Sequence, residues 1–141
     1  MQVLLLQYGD RSLFTCSGSL ITPSTVLSAA HCCSHILNNI KNEGDTYEDY
    51  SALGGTPNIS YKTQYSKEIF FKDINVHENY RPPTKSDQAA LNDICLIYLK
   101  QKFKLTNAIS IMELDENLEF PTSGTNCFIS GWGLDQVAFR N

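Results

Sequence analysis

Nowhere in these 141 residues do apolar side chains run on for the roughly 20 positions that a membrane-spanning helix needs, so no transmembrane anchor is expected. Basic residues are few. Eleven Lys and Arg face fifteen Asp and Glu, the net charge is −4, and no basic stripe exists that could neutralise a phosphate backbone, so nucleic acid is not an expected partner. The first seven residues, Met1-Gln-Val-Leu-Leu-Leu-Gln7, have no positive n-region, too short an apolar stretch and no small-residue cleavage site. They read as a strand, not as a signal peptide. No internal repeat, low-complexity segment or cofactor motif is visible. No set of oxygen ligands spaced for a cation stands out either, so neither metal nor cofactor is expected.

Cysteine, by contrast, is plentiful. Five in so short a chain point to an oxidising compartment, and the odd count implies one thiol whose partner lies elsewhere. Strand-like runs punctuated by turn residues recur along the chain: residues 2–8, then a Gly9-Asp10-Arg11-Ser12 turn into residues 13–16, then Val26-Leu27, residues 50–53 and residues 94–99. Residues 67–77 read as a strand pair. Residues 33–50 are polar and acidic, with Glu43, Asp45, Glu48 and Asp49, and read as a surface loop. That loop is either a solvated excursion or an element favouring basic substrates.

Two residues suggest chemistry. Leu27-Ser28-Ala29-Ala30-His31-Cys32 ends a short apolar run on a histidine, and a histidine fixed at the end of a buried strand suits a general base near neutral pH. Alone, such a histidine is more often a hydrogen-bonded structural residue. Asn92-Asp93-Ile94-Cys95-Leu96-Ile97 places an aspartate at the mouth of an apolar strand, where desolvation is costly unless the carboxylate accepts hydrogen bonds, for example from an imidazole N–H. The alternative is a turn aspartate ahead of a strand.

Ser28-Ala-Ala-His31-Cys32, Asn92-Asp93-Ile94-x-Leu96 and Ile129-Ser130-Gly131-Trp132-Gly133, in that order, resemble the chymotrypsin/trypsin family of serine endopeptidases. The likeness implies an all-β chain: a trypsin-like antiparallel β-barrel over residues 1–107, an inter-barrel connection over 108–124, and the first strand of a second barrel within 125–141. That is a truncated form of a two-barrel fold, the missing second barrel being the expected intramolecular partner. It implies His31 as catalytic base, Asp93 as the residue that fixes its tautomer, a protein or peptide substrate for the full-length enzyme, and a secreted location. The activating Ile/Val-Val-Gly-Gly segment of the family has no counterpart here. In Ser17-Gly18-Ser19-Leu20-Ile21, Ser17 stands where the family has a glycine, at some cost if that position needs a glycine-only backbone. His77, in Val76-His77-Glu78-Asn79-Tyr80, is structural by the same likeness.

The resemblance pairs Cys16 with Cys32, a closure of 16 residues worth about 3 kcal/mol in the loop-entropy model. If the His31 ring meets Asp93, the residues two further along each segment also lie close, which makes Cys33–Cys95 a second disulfide, worth about 4 kcal/mol for its 62-residue span. Cys127 is then left unpaired. Asn58-Ile59-Ser60 is a glycosylation sequon. Residues 100–106 are basic and expected at a sheet edge.

The family's Gly-Asp-Ser-Gly-Gly segment, which carries the nucleophile and oxyanion-hole amides, has no match among the serines of this chain. The expectation is therefore a protease lineage whose 141 residues alone do not cleave peptides, and whose partner-facing surface is left partly apolar and prone to association. Two other readings compete with it. One is a secreted, non-catalytic homologue that acts as a binding module. The other is a zinc site of His31, Cys32, Cys33 and His35, disfavoured because adjacent ligands bite poorly on a tetrahedral ion and disulfides would consume the thiols.

Overall fold

Alternation of more and less buried side chains marks the later strands of this protein, whereas the strand at Tyr50–Gly54 is buried throughout. The computed structural model describes residues 2–7, 14–57, 62–116, 121–128 and 130–132. Strand β1 is Gln2–Gln7, β2 Phe14–Thr22, β3 Thr25–Ser28, β4 Tyr50–Gly54, β5 Lys67–Val76 and β6 Cys95–Leu99. Along β6, Cys95, Ile97 and Leu99 are buried while Leu96 and Tyr98 are half-buried on the other side. On β5 the inward set changes phase from Ile69 and Phe71 to Ile74, because a bulge between Phe71 and Asp73 inserts one residue into the ladder with β6. Lys67–Val76 is thus one long bent strand and the stretch 67–77 is not a strand pair, since the bulge absorbs the break in periodicity that a turn would otherwise explain.

All pairings are antiparallel and the sheet closes in the order β1-β2-β3-β6-β5-β4. Val3, Leu5, Leu20, Val26, Ala52, Ile69, Phe71, Ile97 and Leu99 fill its interior. Closure leaves no strand edge to protect. The basic stretch 100–106 is accordingly irregular chain that follows β6 and plugs Phe103, 3% exposed, into the core. Ser17 lies in extended backbone. The glycine that sterics demand is Gly18, where a Cβ would sit 2.5 Å from Val26 Cγ1 and 2.8 Å from the Leu27 carbonyl oxygen.

The polar stretch after His31 is not a loop. Ala30–Asn42 forms helix α1, and a 3₁₀ turn, Tyr47–Asp49, follows it. The overall polarity of the segment hides a helical stripe: Cys33 and Ile36 are buried, Leu37 and Ile40 pack against them, and the spacing is i, i+3, i+4, i+7. Beneath the helix Asn39 donates from Nδ2 to the Tyr50 hydroxyl at 3.1 Å, and Tyr50 in turn donates to Asp45. The Asp45 carboxylate also accepts from Gln7 Nε2 at 3.0 Å, tying α1, β4 and β1 together.

The expected strand at the start of a second barrel is absent among the described residues of 121–132, all of which lie outside any ladder. A barrel that has paired both edges of every strand offers this stretch nothing to join. It is tethered by side chains instead: Gln2 Nε2 donates to the Ser130 carbonyl at 2.7 Å, and the Trp132 indole N–H to the Pro57 carbonyl at 3.0 Å. The turn at residues 9–12, the sequon asparagine Asn58 and the tail beyond Trp132 lie outside the described residues.

Candidate active site

Register brings the two candidate residues together. Ser28, the last residue of β3, pairs with Cys95, the first of β6. Because the strands are antiparallel, the chain leaving β3 towards His31 and the chain entering β6 through Asp93 emerge at the same rim. His31 therefore sits in the first turn of α1, three residues past the strand, and not at the strand end itself.

Asp93 is presented by a tight turn. Asn92 adopts φ +51°, a left-handed conformation that asparagine tolerates better than most residues, and its Nδ2 donates to the Asn79 carbonyl at 2.9 Å. Ile94 N–H closes the turn on the Asn92 carbonyl at 2.8 Å. Nearby, His77 donates its backbone N–H to the Ile94 carbonyl and accepts the Asn79 N–H at Nδ1, holding the neighbouring loop.

The Asp93 carboxylate then makes a two-pronged contact: Oδ2 lies 2.8 Å from His31 Nδ1, and Oδ1 accepts the His31 backbone N–H at 2.8 Å. Helix α1 is preceded by Ala29, which offers no side-chain cap, so Asp93 caps it from another segment, satisfying orphan N–H groups at the positive end of the helix dipole. Partial burial pushes the Asp93 carboxyl upward. The hydrogen bonds from the His31 ring and backbone, the imidazole charge and the Ala30 N–H outweigh that, and its pKa lies below the ordinary carboxylate value. An ionised carboxylate can only accept, so Nδ1–H faces Asp93, and in the neutral ring Nε2 keeps the lone pair. The imidazole is 60% exposed and Asp93 27%: the carboxylate is sheltered and the ring open to solvent.

Two disulfides brace this arrangement. Cys16, on β2, is bonded to Cys32, and Cys33 to Cys95, with Cα separations of 6.2 and 6.5 Å. Cys32, Cys33 and Cys95 are buried, so the helix turn carrying His31 is fastened to β2 on one side and to the strand following Asp93 on the other. Cys127 is a free, exposed thiol. The sulfurs of Cys16 and Cys32 lie within 4.8 Å of a His31 ring nitrogen, but they are bonded to each other and present no thiolate to a metal.

Beside Asp93 an apolar depression of about 260 Å³ is lined by Leu27, His77, Ile94, Cys95 and Leu96 together with Asn75, and Leu91 and Ile94 are exposed along this rim. Among the described residues no serine hydroxyl is hydrogen-bonded to His31. What the sequence did not reveal is the second role of Asp93 as a helix cap. The helical stripe at 33, 36, 37 and 40 was the signal that could have exposed it.

A histidine at a barrel rim, held by a carboxylate and braced by a disulfide on its helix, is the arrangement the structure brings together. The model of the Trypsin family matches residues 3–139. This chain belongs to the trypsin family. A chymase of Rattus norvegicus is 31% identical to it over 137 residues, which is 97% of this chain and 48% of that protein. Mast cell protease 2 of Meriones unguiculatus is 34% identical over 137 residues, again 97% and 48%. Human chymotrypsin-like elastase family member 3A is 33% identical over 132 residues, 91% of this chain and 44% of the relative. The chain spans about half the length of the curated relatives it matches. As a trypsin-family chain it is homologous to serine proteases, and its closed six-stranded barrel is a trypsin-like all-β fold.

Proposed function

We propose that this chain supplies the base and its orienting carboxylate to a serine endopeptidase, with His31 taking the proton of a serine nucleophile and Asp93 fixing the ring by its Nδ1–H. The observation that carries the reading is the two-pronged contact of Asp93 with the ring and the backbone of His31, which fixes both the tautomer and the direction of Nε2. Residues 1–107 are the first barrel, 108–124 a connection and 125–141 the approach to a second barrel. That second barrel carries the serine, the oxyanion-hole amides and the specificity pocket. Substrates are proteins or peptides, and the two disulfides suit a secreted protein.

On this reading the isolated chain holds a base with nothing to deprotonate. A serine-directed fluorophosphonate leaves the purified 141-residue chain unlabelled, and labelling at a single residue would overturn the reading. In the two-barrel protein, Asp93→Asn lowers kcat by about 10⁴-fold because the ring then takes the wrong tautomer. A rate unchanged by that substitution would remove Asp93 from the mechanism.

A further inference from the structure

The helix that replaces the expected loop changes what His31 can do. Among the described residues of α1, His31 and His35 are four apart and both exposed, while Cys32, Cys33 and Ile36 turn inward. At that spacing Cβ atoms on a helix lie about 5–6 Å apart, and helical side chains lean towards the N-terminus, a direction that lets the ring of His35 reach back towards the turn that carries His31. Two histidines at i and i+4 on one helix face are the bidentate zinc grip of H-x-x-x-H helices.

A second, independent feature supports metal ligation. Imidazoles that bind metals donate their other ring N–H to a carboxylate, which sets the tautomer and raises the basicity of the ligating nitrogen. His31 has this partner already: Nδ1 is 2.8 Å from Asp93 Oδ2, leaving Nε2 as the free donor atom. The third histidine, His77, lies on another turn and spends Nδ1 on the Asn79 N–H.

We propose that His31 and His35 form a two-imidazole site for a divalent cation of the zinc and copper class, with water completing the coordination. The earlier objection to a metal here concerned adjacent ligands and thiols. It does not apply to this pair, because the cysteines are bonded to one another and the helix separates the two imidazoles by one turn. A cation on Nε2 of His31 takes the lone pair that a general base uses, so the site is inhibitory. That consequence rests on the proposed role of His31, whereas the binding does not.

The test uses the whole chain with Cys127→Ser, which removes the exposed thiol as a competing ligand, titrated with Zn²⁺ and followed by calorimetry and by the imidazole carbon-bound proton resonances. The expected result is one ion per chain, with the signals of His31 and His35 shifting together and those of His77 still. His35→Ala weakens binding about tenfold or more, and Asp93→Asn about 10–100-fold. Affinity unchanged by His35→Ala, or a response confined to His77, overturns the site. In the two-barrel protein Zn²⁺ then inhibits hydrolysis reversibly with a chelator. Binding without inhibition would refute the role of His31 as base while leaving the metal site intact.

Discussion

Phe71 and Phe128 sit in equally strand-like sequence, yet the first is fully buried in β5 and the second is fully exposed in a segment that joins no ladder. The barrel holds its strands by six antiparallel ladders, a common interior and two disulfides. The described residues of the stretch from 121 to 132 are tethered by the side chains of Gln2 and Trp132. The contrast teaches that a β-like sequence becomes a strand only where a neighbour offers an unpaired edge. A closed barrel offers none.

The largest effect that sharpens this contrast is expected at Phe71, whose ring stacks on Tyr50 with centroids 6.2 Å apart. Phe71→Ala costs about 3–5 kcal/mol of unfolding free energy, whereas Phe128→Ala stays within about 0.5 kcal/mol. Denaturant midpoints of the two variants measure both, and equal losses would erase the distinction.

A smaller separation is expected between two glycines. Gly18→Ala drives a Cβ into Val26 and the Leu27 carbonyl, a close-packed spot in the barrel wall, and costs about 1–3 kcal/mol. Gly124 has φ +88° and open space around it, so Gly124→Ala strains only its own turn and leaves the melting of the barrel, read by far-ultraviolet circular dichroism, unchanged.

Alkaline titration probes the barrel alone. Burial, followed by the hydrogen bond to Asp45, pushes the Tyr50 hydroxyl up to about 12. The unfolded chain releases this proton near pH 10, so the folded state is favoured below pH 10 and loses that contribution as pH rises towards 12. Tyr50→Phe removes that part of the slope. A tyrosinate absorbance titration lacking a step near 12 would contradict the buried network.

The smallest effect is expected in acid. The Asp93 carboxyl is lowered, so its stabilisation is complete above the ordinary carboxylate range near pH 4 and fades as pH falls through its folded value. Carboxyl carbon chemical shifts should place Asp93 below the other aspartates. In Asp93→Asn the acid limb of the stability curve flattens, while fluorescence of Trp132, the only tryptophan, does not change.

Much of the site was legible from residue order. His31 and Asp93 announce themselves by their flanks, and the Cys33–Cys95 bond seen in the structure follows from the meeting of those two segments. The helix was not legible, because Ser34, His35, Asn38, Asn39, Lys41 and Asn42 make the segment polar on average while four apolar positions carry the fold. Nor was the bulge in β5, since one unpaired residue imitates a turn in any reading of alternation.

Local sequence determined which side chains are candidates for chemistry, which runs favour extended backbone and which cysteines had to find partners. Tertiary structure alone decided that a carboxylate from one segment would cap a helix grown from another, that the segment after His31 would coil, and that the described residues of 125–132 would stay outside the sheet. The reason is physical. Propensity and periodicity act over a few neighbouring residues, whereas caps, bulges and strand pairing depend on which unsatisfied hydrogen-bonding groups the closed barrel brings within reach.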